Sequence, residues 1–150
     1  MNREILFRGK RTDNGEWVKG WLIKDEYGIC IASDDALYHV DGNEWNFEDV
    51  EVNPETVGQY TGLTDKNGVK IFEGDIIEAQ TQDTKRLRNA EVRFGEFADI
   101  NSDEDECYIG FYIVFDGIFT TAGQLKECSN SIEVIGNIFD NPELLEENNT

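Results

Sequence analysis

Basic residues are scarce. The 150 residues include 13 Lys and Arg against 32 Asp and Glu, a formal net charge of −19. A surface of that sign repels phosphate backbones, so ordinary DNA or RNA binding is not expected. Anionic membranes are disfavoured for the same reason. Histidine is rarer still, with His39 alone. One histidine and three scattered cysteines offer no paired-ligand spacing for zinc. Cys30, Cys107 and Cys128 are odd in number and include no C-x-x-C pair. This pattern fits a reducing cytoplasm better than a secreted disulfide scaffold. Long apolar runs are absent, and none approaches membrane-spanning length. The opening residues Met1-Asn2-Arg3-Glu4-Ile5-Leu6-Phe7-Arg8 lack the apolar stretch of a signal peptide. Only Pro54 and Pro142 are proline.

What is present points to a folded β protein. Three Trp, five Tyr and nine Phe argue against global disorder. The length suits a single domain, residues 1–150, with an N-terminal hairpin region at 1–55 and a barrel-like region at 56–145. Asp13-Asn14-Gly15, Asp41-Gly42-Asn43, Asn67-Gly68 and Asp116-Gly117 are turn signals tolerant of positive φ. Short runs rich in Ile, Val, Phe, Tyr and Trp separate them, the pattern of antiparallel hairpins. Residues 4–10 are expected to pair with 16–23 across Asn14-Gly15, and Gly28–Ile31 to supply a third strand. In the second strand Trp17, Lys19 and Trp21 share one face by the two-residue period. A second hairpin centres on Asn67-Gly68. Its return strand kinks at Glu73-Gly74-Asp75 and continues as Ile76–Ala79, like the opening of a small SH3-like barrel. Ala90–Phe94, Gly110–Phe115 and Ser131–Phe139 read as further strands. Residues 34–49 read as irregular with one short strand, 80–89 as a polar loop and 96–107 as an acidic loop. Pro142 followed by acids marks the start of a short C-terminal helix.

The negative charge is uneven. Residues 101–150 hold 11 acids and only Lys126 as a base, a net of −10. Basic proteins and divalent cations are the favoured partners of such a surface, although solubility alone also accounts for it. Asp99-x-Asn101-x-Asp103 matches the first three ligand positions of a calcium loop. Glu104 stands where that loop needs glycine, and Gly110 where it needs a bidentate glutamate, so the match fails at both diagnostic positions. Asp99, Asp103 and Asp105 remain the weak metal candidates. No G-x-S-x-G elbow and no phosphate-cradling glycine loop occur. Cys30, between Ile29 and Ile31, reads as a small core residue. No catalytic residue and no cofactor are expected.

The richest constellation runs from Gln59 to Asp75. Asp65 suits a turn cap, Asn67-Gly68 supplies positive φ, Ile71 or Phe72 faces a core, and Gly74 permits a kink. A functional reading would instead use Tyr60, Asp65 and Asp75 as a surface patch. Tyr60, Gly62, Leu63, Asp65, Asn67, Gly68, Ile71, Glu73, Gly74 and Asp75 together resemble the signature of the YopX family of phage and prophage proteins. Residues 3–10 resemble that family's opening segment. Residues 133–145, with Gly136, Asn137 and Pro142, resemble its closing one. The resemblance implies a β-rich fold, a bacterial cytoplasmic setting and self-association, and it supplies no catalytic residue. The expected role is a non-catalytic protein-interaction module, bound to a host or phage protein or to a second copy in a homo-oligomer. An acidic DNA-mimic inhibitor and a divalent-cation-dependent enzyme or sensor are the alternatives.

Overall fold

A computed structural model of the chain describes residues 4–32, 40–41, 44–45, 49–80, 86–98, 107–115, 118–121 and 131–146. The chain divides into two compact units, Met1–Tyr60 and Thr61–Thr150.

The first unit holds β1 (Phe7–Lys10), β2 (Trp17–Asp25), β3 (Gly28–Ala32), β4 (Val40–Asp41), β5 (Glu44–Trp45) and β6 (Asp49–Glu51). A 3-10 turn, Pro54–Thr56, leads to β7 (Gly58–Thr64), which continues into the second unit. The strand order is β6-β3-β2-β1-β7, and the described pairings are antiparallel. β1 and β2 form the expected hairpin, with Phe7 opposite Gly20 and Lys10 opposite Trp17. Its turn is closed by Gly15 N–H donating to the Arg11 carbonyl and by Glu16 N–H donating to Asn14 Oδ1. The next turn is held by Asp25 Oδ1, which accepts from Tyr27 and Gly28 N–H. Thr56 ties the 3-10 turn to β1: its hydroxyl accepts from Lys10 N–H at 2.9 Å and donates to the Asn53 carbonyl at 2.7 Å. Ile31 and Val52 are fully buried, and a Cβ added at Gly9 would lie 3.0 Å from Val52 Cβ.

The second unit adds β8 (Lys70–Phe72), β9 (Asp75–Gln80), β10 (Arg86–Ala98), β11 (Cys107–Phe115), β12 (Ile118–Thr121), β13 (Glu133–Asn137) and a short helix α1 (Glu143–Glu146). β8 lies beside β7, and the other strands form an antiparallel sheet in the order β12-β11-β10-β9-β13. β9 is paired on both sides, and Ile76 and Ile77 are fully buried although they point to opposite faces, so both faces of the strand are covered. The core gathers Ile71, Ile77, Ala79, Ala90, Val92, Ile113 and Ile132, with Leu63, Leu87 and Val134 packed against it. Each fully buried isoleucine here stabilises the fold by roughly 1.5–3 kcal/mol.

Among the described residues the chain is therefore mainly antiparallel β with one short helix, as its turn spacing implies. The described strands do not close into a barrel: their order leaves β12 and β13 at the two edges. Parts of two expected loops are strand. Arg86–Asn89 is the start of β10, with Arg86 opposite Gln80 and Leu87 opposite Ala79, before a bulge between Leu87 and Ala90. Polar-apolar-polar alternation at Arg86-Leu87-Arg88 is a strand pattern too brief to stand out from its polar surroundings. Residues 96–98 and 107 likewise belong to β10 and β11, where Glu96 faces Ile109 and Ala98 faces Cys107. β12, directly after the Asp116-Gly117 turn signal, is a strand beyond those expected.

Candidate functional site

The signature residues of the second unit converge on the ends of β9. Asp65 is the hub. The tight turn after β7 needs donors satisfied where the backbone reverses, and one Asp65 carboxylate oxygen takes Asn67 N–H at 2.8 Å and Val69 N–H at 2.9 Å. Its other oxygen takes Val134 N–H, 69 residues along the chain, at 3.0 Å. Lys66 N–H donates to the Ile132 carbonyl at 2.9 Å, and Lys66 Nζ lies 3.1 Å from Glu133. The hairpin tip thus covers the outer edge of β13, which would otherwise offer open backbone groups. Asp65 is only 5% exposed. Burial by itself would raise its pKa, but the three backbone donors and the nearby Lys66 charge outweigh it and hold the carboxyl below the ordinary range.

The kink at the other end of β8 uses the same device. Asp75, 1% exposed, accepts Phe72 N–H at 2.7 Å across the reversal. Gly74 sits at φ +89°, where a side chain would be strained. Its N–H donates to the Val92 carbonyl and its carbonyl accepts from Ile138 N–H, so it joins β10 to the segment after β13. There Asn137 Oδ1 accepts from Phe139 and Asp140 N–H. Asn141 Oδ1 accepts from Asn137 N–H at 3.3 Å and fills the space where a Cβ at Gly136 would lie, 2.6 Å away. The chain then enters α1 through Pro142, whose carbonyl accepts from Leu145 N–H.

These positions explain the signature as architecture. Asp65, Gly68, Gly74, Asp75, Asn137 and Gly136 set turns or close approaches, while Ile71 is fully buried and Leu63 packs on the core. Tyr60, Asp65 and Asp75 do not form a surface patch, because each is buried at 6%, 5% and 1% exposure. Asn67 lies in the turn, with its N–H bound by Asp65. Glu73 is half-buried at the kink. The metal candidates Asp99, Asp103 and Asp105 lie outside the described residues, as do His39 and Cys128. Among the described residues no group of three His, Cys, Asp or Glu side chains is placed to hold a metal ion. Cys30 is half-buried on β3, and burial with Asp49, Asp25 and Glu51 nearby pushes its thiol pKa up, away from reactivity.

A second feature lies outside the sequence-based expectations. An open groove of about 600 Å³ is lined by Lys66, Glu78, Ala79, Gln80, Arg86, Ser131 and Glu133. On one side Glu78 Oε1 receives Arg86 Nε at 2.6 Å and Arg88 Nε at 3.4 Å. The Arg86 hydrogen bond, ahead of burial and the two arginine charges, dominates in holding the Glu78 carboxyl below its usual range. Glu133, directly across the β9–β13 ladder from Glu78, pairs with Lys66. Ser131 Oγ donates to the Gln80 carbonyl and accepts from Gln80 N–H, locking β9 to the start of the β13 segment. The sequence signal was present but faint: Arg86-x-Arg88 alternates on a strand opposite Glu78.

Comparison with known proteins agrees with this architecture. No curated protein matches the chain. A crystal structure titled protein EF1440 from Enterococcus faecalis is similar, with a TM-score of 0.51 at 28% identity over 95% of this chain and 98% of that one. The family model described as YopX protein matches residues 6–146, from the residue before β1 to the end of α1. That span takes in the Asp65 hub, the Gly74 kink and the Asn137–Asn141 turn, and with it the chain belongs to the YopX protein family.

Proposed function

We propose that this chain is a phage- or prophage-derived accessory protein of the bacterial cytoplasm that acts by holding another protein, without catalysis. The observation that carries the reading is a set of large apolar side chains left in solvent on regular strands. Ile109 on β11 is 79% exposed and Phe94 on β10 is 49% exposed. The register, with Phe94 opposite Phe111 and Glu96 opposite Ile109, puts Phe94, Phe111 and Ile109 on one sheet face. Phe94 also packs edge-on against Phe111 at 4.9 Å. Aromatic residues in such settings are typical anchors of protein interfaces. The polar signature residues support the reading from the other direction, since Asp65, Asp75 and Asn137 are engaged by the protein's own backbone.

Affinity capture on the immobilised chain, followed by direct binding of each purified candidate, tests this. Ile109→Ser and Phe94→Ser are expected to weaken the verified partner by about tenfold or more, with circular dichroism unchanged. Retention of no protein, or a partner indifferent to both substitutions, would sink the idea. Light scattering on the free chain separates a second copy from a foreign partner.

The charge of residues 101–150 favours a second reading, an acidic DNA mimic occupying a basic nucleic-acid site. Such competition against DNA must weaken with ionic strength. Salt-insensitive competition would count against it.

A further inference from the structure

We propose that the groove between β9, β10 and β13 binds a small phosphate ester, with Arg86 on the groove wall and Arg88 beside it on Glu78 taking the phosphate. The inference is independent of the protein-binding reading, because it uses a different surface of the second unit. Its basis is a local reversal of charge. In a chain with 32 acids and 13 bases, Lys66, Arg86 and Arg88 gather around two carboxylates, Glu78 and Glu133.

The geometry suits an oxyanion. Arg86 and Arg88 alternate on β10, and both approach the same oxygen of Glu78 through Nε. Glu78 therefore holds two guanidinium groups side by side, each approached through Nε. Both arginines are well exposed, at 60% and 63%. Planar guanidinium forks are suited to bidentate recognition of phosphate. Glu133 and Glu78 at the walls are acceptors, so the ligand must also bring donors such as sugar hydroxyls. Free phosphate offers much less of that complement.

Size and charge narrow the class. About 600 Å³ accommodates a small molecule. A nucleic-acid strand would extend beyond the groove and meet a protein surface of net charge −19. With a screening length of about 8 Å at physiological ionic strength, a small anion inside the groove feels mainly the groove's own charges. The chemistry that fits is that of a sugar phosphate.

Amide-resolved NMR titration of the full chain tests this with ribose 5-phosphate as the probe. The amides of residues 66, 78–80, 86–88 and 131–133 are expected to shift with a Kd of about 0.1–1 mM. Arg86→Gln and Arg88→Gln each weaken that Kd by about tenfold, whereas Arg11→Gln, in the first unit, leaves it unchanged. Ribose alone produces no shift, and inorganic phosphate binds several-fold more weakly than the ester. No saturable shift up to about 10 mM, or a Kd unaltered in both arginine variants, overturns the proposal. Equal affinity for inorganic phosphate overturns the ester assignment. Tighter binding of a short oligothymidylate overturns the small-ligand assignment in favour of a nucleic acid.

Discussion

At Asp65 one carboxylate satisfies three backbone donors from two distant parts of the chain. Losing it leaves Val134 N–H without its acceptor and opens the turn, so Asp65→Ala is expected to cost about 3 kcal/mol. Thermal unfolding should then fall by roughly 6–12 °C. Asp65→Asn keeps one acceptor but sets an amide donor against an N–H, and is expected to cost about 1–2 kcal/mol. The pH dependence separates the variants from simple loss of packing. Asp65 and Glu78 both have folded pKa values below the ordinary carboxylate range. Their stabilisation is fully present above the unfolded values, near 4, and is lost as pH falls through the folded ones. The destabilisation caused by Asp65→Asn should therefore shrink below about pH 4. A difference from wild type that stays constant down to about pH 2 would show that the charge contributes nothing.

At the scale of elements, Gly136 and Asn141 couple β13 to the turn that follows it. An alanine methyl at 136 would fall 2.6 Å from Asn141 Oδ1, the acceptor for Asn137 N–H. The Asn141 side chain would have to move, at the loss of that hydrogen bond. Gly136→Ala is expected to cost about 1–2 kcal/mol by denaturant unfolding. In an Asn141→Ala background the same substitution should cost much less, because the obstructing atoms and the acceptor are both gone. Equal costs in the two backgrounds would mean that the pair is not coupled.

The same scale shows what could be read in advance. The hairpins at Asn14-Gly15 and Asn67-Gly68 are legible because their turn chemistry lies within a few residues, as Asn14 and Asp65 show with acceptor bonds to N–H groups two positions on. The partner of Asp65 at Val134 is not legible, since no local pattern joins residues 69 apart. The sequence pattern marks β10 only in its apolar middle, residues 90–94. Its start is polar and pairs with Gln80 and Ala79 of β9, where Glu78 meets Arg86 and Arg88. The groove follows from that pairing and was hidden with it. Of the two uses the sequence offers for Tyr60, Asp65 and Asp75, the structural one matches their burial, and burial of a carboxylate depends on donors that only the assembled sheet supplies.

For the whole molecule the governing quantity is the excess of acid. A net charge of −19 with a sequence pI near 4.2 means that the folded chain repels itself throughout the neutral range. The described ion pairs relieve little of this, and Arg11–Asp13 is an exposed example. Added salt should therefore stabilise the protein, raising the unfolding midpoint by several degrees between about 0.02 M and 0.5 M sodium chloride at pH 7. Mild acid should act in the same direction, since each proton taken up reduces the repulsion, until Asp65 and Glu78 begin to lose their charge. The two effects place maximum stability at about pH 5–6 rather than 7–8. High salt should flatten the neutral side of that profile while leaving the acid side steep, because Asp65 is buried and poorly screened. Thermal scans from about pH 3 to 8 at both salt concentrations measure this. Stability unchanged by salt at pH 7 would mean that the acids are spaced too widely to repel one another. Loss of the acid limb at high salt would mean that surface charge, rather than the Asp65 and Glu78 contacts, sets it.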